Sequence, residues 1–249
     1  MDSQTKKVIL IIADISGYTS YMVAHRTALA HGQILITKLL EAIISQAEIP
    51  LAISKLEGDA VFMYAAAETS EKDLSSIAEK VGPRLTKFFD AFFEKLEELI
   101  DSQVCGCPAC GNLEKLKLKL VIHAGEALFH KVGGFNELSG VDVITVHRLL
   151  KNGVNSNQYI LMTESALAVL DFEGKTRMAQ MSEEYEGIGT IKTGVYYMGG
   201  AENPAAPAKH EHNYSSVFYK MKNLAWLVTN ELLIKAGLKK AVELKNVSK

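Results

Sequence analysis

The feature that most constrains this chain is the six-residue run Val8–Ala13 (VILIIA), which stops at Asp14. A short, apolar, β-branched run with a polar stop reads as a buried strand. It is too short for a membrane span, which needs roughly 20 apolar residues, or for a signal-peptide core of about 7–15. A long helical pattern follows over Tyr18–Ala47, with His31-Gly32 as its expected interruption. Leu51–Lys55, the turn Gly58-Asp59 and Ala60–Ala66 read as strand, turn and strand, a hairpin. Glu71–Ile100 is helical. Its residues Ile77, Val81, Leu85, Phe88, Phe92, Leu96 and Leu99 recur every three or four positions as an apolar stripe. Pro83 kinks or restarts that helix. Leu116–His123 alternates as a strand. Ser139–Asn152 reads as a helix, Tyr159–Met162 as a strand, and Met178–Met198 as two strands around Gly187–Gly189. Strands mixed with helices mean α/β or α+β, not all-α.

Composition excludes several classes. The 249 residues carry 27 Lys+Arg against 29 Asp+Glu, with 48% apolar and 22% charged residues. These values exclude a disordered chain, collagen and a coiled-coil rod, and a net charge of −2 argues against a dedicated nucleic-acid binder. With no candidate membrane span, a cytoplasmic protein is expected. The expected organisation is one domain over 6–200 with a cysteine loop at 102–112, a linker at 201–213 rich in Ala, Pro and His, and an amphipathic C-terminal helix at 214–249. Val217, Met221, Leu224, Val228 and Leu232 share a face of that helix. From Tyr214 onward seven Lys and two Glu give a local charge of +5. Such a face is either solvated while the helix packs back on the domain, or docks a partner or an anionic surface.

Two carboxylates sit at strand ends beside glycine: Asp14 in IADISGYT and Asp59 in KLEGDAVF. If the hairpin lies next to the first strand, the two converge at one end of the sheet. Paired carboxylates suit a hard cation such as Mg²⁺, with substrate phosphates filling the remaining positions. A helix begins just after Asp14, so the backbone N–H groups of Ser16, Gly17, Tyr18 and Thr19 form an anion site. Metal carboxylates beside a helix N-terminus point to a nucleoside triphosphate. Taken singly, each motif reads equally as a cap or a turn.

In this order and spacing the motifs resemble the class III nucleotidyl cyclase homology domain. IADISGYTSYM is similar to that family's first metal motif, and KLEGDAVFMYA to its second, with a Lys three residues before the Gly. LKLKLVIHAGEALFHKVGGFNELSGVDVITVHRLL resembles the segment from the His-x-Gly strand to the helix ending in Arg-Leu. The resemblance runs from Lys6 to Met198. The cysteine loop and the string VHRLLKN suggest a distinct bacterial branch. The resemblance implies an α+β, ferredoxin-like fold: a βααβ-βαβ core with a central, mostly antiparallel sheet, followed here by the C-terminal helix. It also implies a homodimer, paired head-to-tail, with metal carboxylates from one chain and base and ribose contacts from the other. The implied cofactors are two Mg²⁺ or Mn²⁺ ions, and the implied chemistry is attack of the ribose 3′-hydroxyl on the α-phosphorus with loss of pyrophosphate.

Carried over by position, Asp14 and Asp59 become metal ligands and Ile15 offers a backbone carbonyl. Lys55 donates to a purine ring nitrogen. Glu137, in a loop three residues before Gly140, accepts from an exocyclic amine, so the pair favours ATP and hence cyclic AMP. Arg148 faces the reacting phosphate; its other reading is a surface arginine paired with an acid. Two positions depart from the family. The ribose-orienting Asn is Ile144, and the triphosphate-gripping Lys aligns with Glu186. Lys151 and Asn152 are candidate replacements, some 6 Å further along the helix at ~1.5 Å per residue. Two lost contacts of several kcal/mol each would cost several powers of ten in rate, at ~1.4 kcal/mol per tenfold. The chain therefore reads as a weak cyclase, or as a cyclase-homology module that binds nucleotide or a partner without turnover.

Cys105, Cys107 and Cys110 form a Cys-x-Cys-x-x-Cys cluster. Three cysteines are no secreted disulfide framework. They bind zinc if a fourth ligand exists, which would make the loop a metal or redox sensor, or they are reduced thiols in a turn made by Gly106, Pro108 and Gly111. His123 reads as a buried strand residue, and His147 as a surface or packing residue.

Overall fold

The computed structural model describes residues 3–24, 29–67, 71–102 and 108–198. The linker and C-terminal helix expected over 201–249 lie outside the described residues. In chain order the elements are β1 (Gln4–Ser16), α1 (Tyr18–Ala24), α2 (Leu29–Ser45), β2 (Ala52–Glu57), β3 (Ala60–Ala66), α3 (Glu71–Val81), α4 (Leu85–Asp101), α5 (Pro108–Gly111), β4 (Lys117–Val132), β5 (Phe135–Ser139), α6 (Val141–Arg148), β6 (Tyr159–Thr163), α7 (Glu164–Val169), β7 (Ala179–Tyr185) and β8 (Gly189–Tyr197). One sheet runs β2-β3-β1-β4-β6-β8-β7, with β5 added on β4. Neighbouring strands are antiparallel except β4 and β6, which are parallel.

β1 explains why VILIIA does not alternate. Ile9, Ile11, Ala13 and Ile15 enter the core under α2–α4, and Val8, Leu10 and Ile12 enter a second cluster with Val146 and Leu149 of α6. Both faces of the strand are buried, so both need apolar side chains. The strand does not stop at Asp14, as the sequence suggested. Asp14, Ile15 and Ser16 still pair with Lys119, Leu118 and Lys117 of β4, and Gly17 ends it at φ 90°, a value glycine adopts without steric cost.

The helices differ from the sequence reading at two points and match it at Pro83. His31-Gly32 does not interrupt α2 but lies inside it; α1 ends at Ala24 and α2 begins at Leu29, and residues 25–28 lie outside the described residues. Pro83 does divide its helix: a 3₁₀ turn at Gly82–Arg84 separates α3 from α4. From Val81 to Leu99 the stripe residues are buried. α6 is shorter than Ser139–Asn152. It starts after Gly140, at φ 134°, and ends at Arg148 because Asn152 turns back to donate to Leu149 O at 2.7 Å and to the Tyr159 hydroxyl at 2.8 Å.

A Cβ on buried Gly82 would overlap the backbone carbonyl oxygen of Asp171. Backbone cannot swing aside as a side chain can. Gly82→Ala should therefore lower the unfolding free energy by about 1–3 kcal/mol, the usual cost of overpacking, read as an earlier urea midpoint. An unchanged midpoint would show that this turn gives way freely.

Candidate active site on the α6 face of the sheet

Alternation along β1, β4 and β6 sends Asp14, Lys119 and Tyr159 to the face that carries α6. They form one row, because Asp14 is opposite Lys119 and Lys119 opposite Tyr159. The Lys119 ammonium lies 3.0 Å from Asp14 Oδ2 and donates to Leu150 O at 3.3 Å. The hairpin turn is pinned beside this row: Ile15 N donates to Asp59 O at 3.3 Å, and Ala60 is opposite Asp14. Asp14 and Asp59 thus sit at the same end of adjacent strands. Burial pushes the Asp59 carboxyl up to about 6; the charge of Asp14 pushes the same way, against its own backbone hydrogen bond and Lys119.

This arrangement fits a divalent cation. Among the described residues no group of three or more His, Cys, Asp and Glu could hold a metal alone. Mg²⁺ is commonly held by one or two carboxylates, with waters and substrate phosphates completing the octahedron. Burial, with the Asp14 charge adding to it, disfavours the ionised Asp59 carboxyl, and a cation bound beside it would favour that ionised form. Ile15 is 1% exposed, so its apolar side chain is committed to the core. Ser16 is a strand residue opposite Lys117, which narrows the expected anion site to the chain from Gly17 to Thr19. Here Gly17 and Thr19 are exposed and Tyr18 is half-buried.

A second cluster lies on β2. Lys55 Nζ donates to Glu137 Oε2 at 3.0 Å and is 4.0 Å from Glu57 Oε1. Glu57 in turn meets His147 Nε2 at 3.1 Å, and the His147 ring packs edge-on against Phe62 at 4.8 Å. Glu137 is not in a loop, as expected, but in β5, opposite His130. The β4–β5 hairpin carries it to β2, three strands from β4 in the sheet. Beside it is a cavity of about 530 Å³ lined by Lys6, Tyr64, Phe129, Asn136 and Glu137.

Arg148 is exposed at the end of α6 and lines a cavity of about 410 Å³ with Val143, Ile144, His147 and Lys151. Among the described residues no acid pairs with it, contrary to the surface-ion-pair reading. Ile144 is 53% exposed, so an apolar side chain does stand on this outer face. Asn152 is no ribose ligand in waiting, being bonded to Tyr159 and Leu149 O. Glu186 is exposed at the tip of the β7–β8 hairpin. That hairpin is tied to the segment after α6: Tyr185 Oη donates to Lys151 O and Gly153 N to Glu183 Oε1, both at 2.9 Å.

Sequence reasoning missed Lys119, although LKLKLV placed it next to the apolar Val121 on one strand face. It also missed the role of His123. That side chain is buried, as expected, but it joins Asp142 Oδ1 on α6 at 3.0 Å to Thr163 Oγ1 at 2.9 Å. Asp142 Oδ2 also accepts from Glu126 N at 2.6 Å. A Cβ on Gly125 would overlap that carboxylate. The His-x-Gly segment is therefore the dock that fixes α6, and with it Ile144 and Arg148, on the sheet.

Comparison with known proteins agrees with this architecture. A family model described as "Protein of unknown function (DUF2652)" matches residues 36–159. The "Uncharacterized protein Rv2561/Rv2562" of Mycobacterium tuberculosis (strain ATCC 25618 / H37Rv) is 31% identical over 206 residues, 83% of this chain and 91% of that protein. The chain belongs to the family of this mycobacterial protein. Among solved structures it is similar to the adenylyl cyclase CyaB from P. aeruginosa, with a TM-score of 0.56 and 16% identity over 78% of this chain and 96% of that one. It is also similar to the guanylyl cyclase Cya2, with a TM-score of 0.57 and 16% identity over 83% and 100%. A third similar structure is the guanylate cyclase domain of RhGC from Catenaria anguillulae in complex with GTP, at 0.54 and 16% over 77% and 97%. At such identities the likeness is one of fold: the chain has the α+β class III cyclase fold.

The raised Asp59 carboxyl fixes a pH dependence. The folded state binds this proton more tightly than the unfolded chain, whose carboxyl is near 3.8. Its contribution is complete below pH ~4 and is lost as pH rises through about 6. Asp59→Asn should therefore raise Tm over wild type above pH ~7, with the gain shrinking towards pH ~4. A gain independent of pH in thermal unfolding would show that the charge of Asp59 is not what strains the site.

Proposed function

We propose that the protein is a class III cyclase-like nucleotide-binding protein: a homodimer that takes ATP with Mg²⁺ or Mn²⁺ at Asp14 and Asp59 and converts it very slowly, if at all, to cyclic AMP. The observation that carries this reading is the Asp14–Asp59 pair beside Lys119, on the same sheet face as Lys55 and Glu137. Bound by the two carboxylates and the Ile15 carbonyl, the metal ions would neutralise the triphosphate and lower the pKa of the ribose 3′-hydroxyl. The chain's own groups do the rest. Lys119, released from Asp14 by the incoming cation, is placed to take a phosphate oxygen. Lys55 and Glu137 of a second copy read the adenine edge as donor and acceptor, beside the cavity walled by Tyr64 and Phe129. Arg148, among Ile144 and His147, faces the reacting phosphate.

A second copy is supported by α6, whose Val141 and Ile144 stand 66% and 53% exposed beside this cluster. Apolar side chains grouped on an outer face suit an interface. Binding without turnover is the second reading, and the same Ile144 favours it, since it cannot hold a ribose hydroxyl. Glu186 adds a like charge where a triphosphate needs a cation.

The test is binding and turnover with purified protein. Mn²⁺-ATP should bind weakly and lose at least tenfold in affinity in Asp14→Asn. Cyclic nucleotide identified by mass should form very slowly or not at all. The double change Ile144→Asn with Glu186→Lys should raise that rate, because each restores a contact that strengthens in the transition state. Binding indifferent to Asp14 would sink the nucleotide site. Robust turnover, unchanged or reduced in the double variant, would sink the residue assignment.

A further inference from the structure

Of the expected cysteine cluster, Cys105 and Cys107 lie outside the described residues, and Cys110 by itself makes no metal site. The cavity of about 530 Å³ on the α6 face is a different matter. Alternation puts Lys6 on the same face of β1 as Val8, Leu10 and Ile12. It stands far from Asp14, roughly 26 Å along the strand at ~3.3 Å per residue. Tyr64, opposite Leu10, and Phe129, opposite Gln4, share that face and meet edge-to-face at 5.3 Å, which gives the cavity an aromatic wall. The Lys6 ammonium is 5.7 Å from the centre of the Phe129 ring, within cation–π reach. Lys131 and Asn136 of the β4–β5 hairpin also line the cavity. Among the described residues no carboxylate pairs with Lys6 or Lys131, and neither the Tyr64 hydroxyl nor the Asn136 side-chain amide has a hydrogen-bond partner. Glu137, the one acid among the lining residues, is already neutralised by Lys55 at 3.0 Å. Burial pushes the Tyr64 hydroxyl above its usual value, so it keeps its proton and can donate. Two unpaired cations beside an aromatic wall call for an anion attached to a ring: the ring covers the wall, and the anion gives Lys6 the partner that the fold does not. We propose that this cavity is a second ligand site, for a planar aromatic molecule bearing one oxyanion group, carboxylate or phosphate, with its ring on Tyr64 and Phe129 and its anion held by Lys6 and the Tyr64 hydroxyl. The site contains neither Asp14 nor Asp59 and goes beyond the nucleotide reading. Through Glu137 its occupant borders the Lys55–Glu137 pair.

The experiment titrates the full chain, with EDTA present and nucleotide absent, with indole-3-carboxylate, phenyl phosphate and uncharged indole, and reads binding by ligand-observed NMR. At least one of the two anions should bind with a millimolar Kd or tighter, the range for ligands this small, and the one that binds identifies the oxyanion. Indole should bind at least tenfold more weakly than that anion. Lys6→Gln should weaken the anion at least tenfold and leave indole unchanged, and Lys6→Arg, which keeps the charge, should retain it. Tyr64→Phe, which removes only the hydroxyl and keeps the ring, should weaken the anion about threefold or more. Asp14→Asn should bind the anion as wild type does, so this site stands or falls apart from the nucleotide site. Binding of neither anion would overturn the proposal. So would indole binding as tightly as the anion, an anion indifferent to both Lys6→Gln and Tyr64→Phe, or loss of the anion in Asp14→Asn, which would put it in the nucleotide site instead.

Discussion

The structure depends on β1. It is buried on both faces over Val8–Ala13 and hydrogen-bonded on both edges, to β3 and to β4. Its side chains are therefore committed by alternation, with no freedom to slip: a one-residue shift would drive Asp14 into the helix-side core and Ile15 out of it. That register puts a carboxylate where the buried strand ends. The pairing with β4 then sets Lys119 opposite it, and the pairing with β3 brings the Asp59 turn alongside.

The same face is organised by ion pairs within the chain. Asp14 pairs with Lys119 and Lys55 with Glu137, each at 3.0 Å. Asp14 and Lys119 are both 18% exposed, whereas Lys55 and Glu137 are 41% and 36% exposed. Removing one partner from the more buried pair leaves an uncompensated charge, which costs far more than breaking an exposed pair. The two pairs are thus unequal: the Asp14 end is stiff and electrostatically demanding, while the Lys55–Glu137 end opens easily.

Much of the fold was legible because its signals are local. The β2–β3 hairpin, the Pro83 break and the β7–β8 pair each carry their own turn residues and periodicity. Asp14 and Asp59 were legible as a pair because both stand beside glycine at strand ends. What escaped was whatever long-range pairing decides. Asp14–Ser16 looked like a strand breaker because its β4 partner lies about a hundred positions away. Glu137 looked like a loop residue because the hairpin that contains it is defined by pairing with His130. Lys119 was hidden by its neighbours Lys115 and Lys117, which made it one of a series. The His123–Asp142 contact joins a strand and a helix that no spacing rule connects.

The paired state of the site selects what can enter it. In the proposed site, a lone cation would satisfy Asp14 and Asp59 only by displacing the Lys119 ammonium from its carboxylate partner. A lone phosphate can engage Lys119 only by stripping Asp14 of its partner while Asp59 remains close by. Each single ligand trades one uncompensated, partly buried charge for another. A metal–triphosphate complex brings both signs at once, the cation to the carboxylates and a phosphate oxygen to Lys119, so every charge in the row keeps a partner throughout. Ion-pair arithmetic at the end of β1 therefore disfavours the components singly and favours the complex, a selectivity that needs neither Ile144 nor Glu186. It follows that damage to the transition-state contacts and retention of nucleotide binding are compatible outcomes of one sequence: the charges that would receive the proposed complex sit on β1, β4 and the β2–β3 turn, whereas the departures from the cyclase pattern sit on α6 and on the tip of the β7–β8 hairpin.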